Sequence, residues 1–211
     1  MNLTSRGVAR TLTAVAAAGT LALLAGCSSD SDSTAPVSIG DNAAVGSCAA
    51  TEGPLITAAG QPEIQLPQPA GWERNTMQDS ELVRLVLINT SLVKNGFAPN
   101  IVVTVVPSSG TFDQIIDNEI STLQKMMKTD VPEGELGTVC GFESYTVTYD
   151  ASGMEGLPVH PITSRMIVVP KEGGGSNTVV LTVQTTDPDD PTYQEDSQAM
   201  LDGVQITVNE A

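Results

Sequence analysis

Glu143-Ser-Tyr-Thr-Val-Thr-Tyr149, Thr163-Ser-Arg-Met-Ile-Val-Val169 and Thr178-Val-Val-Leu-Thr-Val-Gln-Thr185 decide the fold. All three runs are rich in Val, Ile, Thr and Tyr, the residues that suit a pleated, half-buried surface. Ser152-Gly153 marks a turn after the first, and Glu172-Gly-Gly-Gly-Ser-Asn177 joins the second to the third. Strands that follow one another over short links pair antiparallel, because a parallel return needs a long crossover. The glycine-rich link reads as a mobile hairpin loop. It is no phosphate cradle, since no Gly-Lys-Ser/Thr follows and no helix opens there.

Outward from this centre, Glu63–Leu66, Leu82–Ile88, Asn100–Val106 and Val204–Val208 read as further strands, with turns at Asn95-Gly96 and Pro107–Gly110. Two segments read as helices. Thr111-Phe-Asp-Gln114 has the form of a capping box. Behind it Phe112, Ile115, Ile116, Ile120, Leu123, Met126 and Met127 recur at helical spacing, and Pro132 follows. A second helix begins near Asp187-Pro188 or Asp190-Pro191, an acidic cap with proline in the first turn, and stops at Gly203. Helices packed on an antiparallel sheet make an α+β domain.

The other end of the chain speaks of location. Arg6 and Arg10 precede an uncharged stretch from Leu12 to Leu24, which ends in Leu24-Ala25-Gly26-Cys27 and then Ser28-Ser-Asp-Ser-Asp-Ser33. A positive start, an apolar middle and small residues before the cut form an export signal over residues 1–26. Cysteine at the first position after the cut marks a lipoprotein, because a thiol carries the thioether-linked diacylglycerol. An ordinary secretory signal or a membrane span are the alternatives, and the apolar run is shorter than the roughly 20 residues a spanning helix needs. The expected protein is extracytoplasmic and held to the membrane by lipid on Cys27. Residues 27–47 hold almost no large apolar side chain, so they read as a flexible tether. Residues 48–211 form the globular domain.

About 185 residues remain after the signal, enough for one domain and a tail. All 25 acidic residues lie in that part, with only seven of the nine Lys and Arg, which leaves the acylated mature chain at −18. A surface so acidic does not bind nucleic acid, whose phosphates need clustered Lys and Arg. The ordinary meaning of the charge is solubility. Besides Cys27 the chain has Cys48 and Cys140, and an even pair in an exported protein reads as a disulfide, against two free buried thiols.

Candidate chemistry is sparse. There is one histidine, His160, and no close cysteine pair, so neither zinc nor another metal is expected. Pro158-Val-His-Pro161 makes His160 a surface turn or strand entry rather than a catalytic base. Trp72, after Pro69-Ala-Gly71, reads as a plug at a core edge rather than a platform for sugar. Asp187, Asp189 and Asp190 read as helix caps more than as a calcium loop, since they do not match the spaced EF-hand pattern. No catalytic residues and no cofactor are expected. Ile116, Met126 and Met127 are the candidates for lining an aliphatic ligand groove between helix and sheet, though such side chains equally fill ordinary cores.

Glu81-Leu-Val-Arg-Leu-Val-Leu-Ile-Asn-Thr90, Asn95-Gly-Phe-Ala-Pro-Asn100, Thr138-Val-Cys-Gly141 and Thr182-Val-Gln-Thr-Thr-Asp-Pro-Asp-Asp-Pro-Thr-Tyr193 resemble the mycobacterial LpqN/LpqT lipoprotein family, most closely its LpqT branch. The likeness covers roughly residues 48–208, and the chain departs from the LpqN branch in its cysteine pair and shorter tether. The resemblance implies a Mog1/PsbP-like α/β/α sandwich and a place in a mycolic-acid cell envelope. It carries no catalytic residue. The expected function is a non-enzymatic envelope lipoprotein that binds or presents an apolar lipid or glycolipid. The alternative is an adaptor for an envelope transporter or assembly protein, without a small ligand.

Overall fold

The computed structural model describes residues 47–128, 130–151 and 158–208. Cys27, the export signal and all of the tether but Ser47 lie outside them. In chain order the elements are β1 (Leu55–Ala58), β2 (Glu63–Pro67), β3 (Glu73–Arg74), β4 (Val83–Ile88), β5 (Asn100–Ser108), α1 (Phe112–Met127), β6 (Glu135–Val139), β7 (Phe142–Ala151), β8 (His160–Pro170), β9 (Ser176–Gln184), α2 (Pro191–Asp202) and β10 (Gln205–Thr207). A seven-stranded sheet has the order β3-β4-β5-β9-β8-β7-β6, and a small sheet has the order β1-β2-β10. Every pairing is antiparallel.

The three deciding runs become β7, β8 and β9 side by side, with Thr146 opposite Arg165 and Arg165 opposite Leu181. Period-two alternation then sorts their side chains onto two faces. On one face Val147, Tyr149, Ile162 and Met166 pack with Ile116 of α1. On the other, Ile167, Val169, Val179, Leu181 and Val183 pack with Tyr193, Met200 and Leu201 of α2 and with Ile64, Leu66 and Ile206 of the small sheet. The result is an α+β architecture with a helix on each face, and β1-β2-β10 shares the second face with α2.

Both helix starts follow their capping signals. Thr111 and Gln114 form the reciprocal capping box of α1, and Lys128 ends that helix in the left-handed region at φ 52°. Asp190 caps α2, accepting from the Tyr193 N–H at 2.9 Å, so the second of the two sequence alternatives is the helix start. Three strands went unread in the sequence: β1, the two-residue β3, and β6.

Candidate functional site

A groove of about 660 Å³ opens between α1 and the segment leading into β6. Its walls are mainly apolar: Phe112, Ile116 and Ile120 from α1, with Val131, Leu136 and Tyr145 opposite. Its charged members are all acidic, namely Asp113, Asp117 and Glu133. Gly134 fixes the wall facing α1. Its N–H donates to the Tyr145 hydroxyl at 2.6 Å. A Cβ there would lie 2.3 Å from the Thr146 carbonyl oxygen, closer than real contacts allow. Only glycine lets this segment run so close along β7.

On the opposite face of β6 a second cavity, of about 400 Å³, is polar. Ser144, Thr146, Thr138, Glu135 and Gln205 line it around Arg165. The Arg165 guanidinium donates to Thr146 Oγ1 at 3.0 Å, to the Leu201 carbonyl at 2.8 Å and to Asp202 at 3.0 Å. It thereby ties β8 to the negative end of α2. Cys140 borders the same cavity. It is bonded to Cys48, with 4.1 Å between the Cα atoms. The Ile206 N–H lies 3.2 Å from Cys48 Sγ, so the bridge ties the start of the domain to both β10 and the β6–β7 turn.

The sequence candidates divide. Ile116 lines the α1 groove. Met127 packs on the α1-side cluster without lining the groove. Met126 is 68% exposed and is corrected: the stripe of α1 that packs on the sheet runs through Ile116, Ile120, Leu123 and Met127, which leaves position 126 outside it. His160 is likewise corrected in part. It does enter a strand, yet it is buried rather than on the surface. Its ring lies 5.2 Å from that of Phe97, with Nδ1 2.9 Å from the Pro158 carbonyl oxygen. Residue 160 already pairs with Ala151, so the strand begins inside the sheet.

Trp72 is buried, and its indole N–H donates to Asp196 at 2.7 Å, a plug rather than an open platform. Desolvation holds the Asp196 carboxyl above the usual aspartate value. The Trp72 hydrogen bond pulls it back, while Glu195 and Asp190 add to the rise. Burial also raises Glu119 on α1 and pushes the Tyr193 phenol up to about 12, so that phenol stays neutral. In the acidic run before α2, Asp190 serves as the cap and Asp187 pairs with Lys94 at 3.3 Å. Among the described residues no three His, Cys, Asp or Glu side chains gather as metal ligands. Among them, too, no helix is long and apolar enough to cross a membrane.

The family model described as probable lipoprotein LpqN matches residues 54–207. The chain belongs to the LpqN lipoprotein family. Among solved structures it is similar to LpqN of Mycobacterium tuberculosis, described as involved in cell envelope biogenesis, at 18% identity and a TM-score of 0.50. That match covers 69% of this chain and 83% of the other. A mutant of the protein Mog1 aligns at 10% identity and a TM-score of 0.45, over 73% of this chain and 95% of that one. No curated protein matches by sequence. The likeness to the solved LpqN concerns the fold and places no ligand or role on any residue here.

Sequence reading missed β6, which separates the two cavities. The turn that ends it has a recognisable geometry but an unusual sequence. Cys140 and Gly141 both have positive φ, at 51° and 78°, the geometry of a two-residue hairpin turn. Asn-Gly or Asp-Gly usually announces such a turn, and cysteine in the first position hid it.

Proposed function

We propose that this chain is an extracytoplasmic lipoprotein of the LpqT-like branch, anchored to the cell membrane through Cys27, that binds or presents an apolar lipid or glycolipid in envelope biogenesis. Residues 1–26 are its signal, residues 27–47 its tether and residues 48–211 its working domain, and it acts without catalysis. The observation that carries the reading is the α1 groove. Its volume falls within the roughly 300–1,000 Å³ of small-molecule sites, and its walls are mainly apolar. The rim adds a restriction. Asp113, Asp117 and Glu133 would repel a phosphate, and among the described residues no Lys or Arg lines the groove to hold one. An uncharged, hydroxyl-rich headgroup fits better than that of an anionic phospholipid. Membership of a family of probable lipoproteins, and a fold shared with a protein described as involved in envelope biogenesis, point the same way.

The test is native mass spectrometry of residues 28–211, purified without detergent and incubated with a lipid extract of the envelope. A bound mass matching one defined lipid, lost in Ile116→Glu while circular dichroism stays unchanged, supports the reading. An apo mass throughout overturns it. Anchoring is tested separately: Cys27→Ala should move the protein from the membrane fraction to the soluble one, and retention in the membrane would mean another anchor.

A second reading, an adaptor that binds a protein partner, rests on one specific observation. Leu136, in the outermost strand of the large sheet, is 76% exposed.

A further inference from the structure

The two edges of the seven-stranded sheet are built differently. At one end β3 is two residues long, and its Arg74 forms an ion pair with Asp79 at 2.7 Å. Short, charged edges are how folded proteins discourage a further strand. At the other end β6 runs for five residues, Glu135-Leu-Gly-Thr-Val139, with no lysine, no proline and no register shift against β7. Among the described residues nothing pairs beyond it.

The hairpin turn sets which groups face outward. With two residues in the turn, Val139 and Phe142 form a hydrogen-bonded pair, and the pattern alternates back along the ladder. Gly137 and Glu135 therefore bond inward to β7, through Ser144 and Thr146. Leu136 and Thr138 turn their N–H and C=O groups to the open edge. A strand laid there would find a cavity on each face. Alternate side chains would reach the acid-rimmed α1 groove on one side and the hydroxyl-lined cavity of Arg165 on the other. Leu136 borders both cavities.

We propose that the β6 edge is a docking site for an extended segment of a different protein, which joins the sheet beside Leu136 and Thr138 and turns apolar and basic side chains toward the α1 groove. This is strand addition, in which main-chain bonds supply affinity and alternate side-chain pockets supply selectivity. Charge complementarity selects the occupant. Asp113, Asp117 and Glu133 face that side, and among the described residues no base lines the groove beside them, so they favour Lys or Arg on the incoming strand. A second copy of this chain is a poor occupant, because two strongly acidic domains repel each other. The docking does not rest on the groove's lipid. The added strand extends the groove's wall, and either can hold without the other.

The experiment uses the full chain in detergent micelles with two synthetic peptides, acetyl-Lys-Thr-Leu-Thr-Lys-Thr-Leu-Thr-amide and the same peptide with Glu for Lys. Amide exchange is followed by NMR at millimolar peptide. The basic peptide should slow exchange at Leu136 and Thr138 tenfold or more, with less protection as salt is raised, and the acidic peptide should not. Asp117→Asn with Glu133→Gln, both outside the ladder, should weaken the protection severalfold without moving the melting temperature. Thr138→Pro removes one outward N–H and should abolish protection at Leu136. If that variant fails to fold, the charge variant still decides. No protection from either peptide overturns the proposal, as does equal protection from both. Protection that appears without peptide and grows with protein concentration also overturns it, in favour of a second copy.

Discussion

The two faces of the large sheet carry similar strands and end in different surfaces. On the α2 face, Leu85, Leu87, Ile101, Val103, Ile167 and Leu181 are all fully buried, because a helix and a second sheet share the cover. On the α1 face a single helix among the described residues covers the β7–β8 end. Its cluster is smaller, and Phe112, Ile120, Leu123, Met127 and Tyr145 stay only partly buried around it. The strands alone do not decide which face is open. One helix cannot cover a sheet this wide, and the uncovered margin beside β6 is the groove. Stability should therefore concentrate on the α2 face and ligand capacity on the α1 face.

The hardest test of that division is the disulfide, which closes the α2 side. In the loop-entropy treatment, a bridge across so long a loop contributes about 4–5 kcal/mol. Cys48→Ala with Cys140→Ala should lower the unfolding free energy by an amount approaching this, read in urea. It should leave the lipid capture proposed for the α1 groove intact wherever the domain remains folded. Loss of capture in a folded variant would mean that the two faces are coupled.

Next comes truncation inside the closed face. Leu181 is fully buried in the central strand β9. Leu181→Ala should cost about 3 kcal/mol, from lost transfer energy and a cavity that dense surroundings cannot collapse. Ile120→Ala on the groove wall removes a side chain that already meets solvent, and should cost about 1 kcal/mol. Equal losses from the two in the same urea titration would mean that the groove is closed in solution and packed like a core.

This asymmetry also explains what the sequence could tell. The closed face was legible where its strands are long, β-branched and regularly spaced, as in Thr178–Thr185, and not at the four-residue β1. Its helix start was legible to within one turn, because Asp187-Pro188 and Asp190-Pro191 both have the form of a cap, and the Cys48–Cys140 pairing because an even pair of cysteines behind an export-like start has few other uses. The open face was legible only where α1 repeats. Glu135-Leu-Gly-Thr-Val139 is short, holds a glycine and exposes most of its side chains, so neither composition nor alternation sets it apart from a loop. The groove depends on that strand and on the close approach at Gly134. Neither leaves a periodic signal. Met126 and His160 show the same limit at single residues. Helical spacing does not tell the middle of a stripe from its edge, and flanking prolines do not tell a strand that starts inside from a turn that stays outside.

The smallest expected effect lies at the rim of the closed face, where the lone tryptophan meets Asp196. Desolvation raises the Asp196 carboxyl in the folded protein above the ordinary aspartate value of 3.8. A proton is thus held more tightly in the fold than in the unfolded chain. The stability it brings is fully present below that ordinary value and is lost as pH rises through the folded one. Asp196→Asn keeps an oxygen to accept from the Trp72 indole and does not titrate. Subtracting the variant's stability from the native protein's at each pH removes the parallel contribution of Glu119, which has the same sign. The difference should fall as pH rises through the acid range and then level off, with Trp72 fluorescence reporting unfolding in both proteins. A difference that instead grows with pH would mean that the charged Asp196–Trp72 bond outweighs desolvation. The rim of the closed face would then be held by a polar contact rather than by packing.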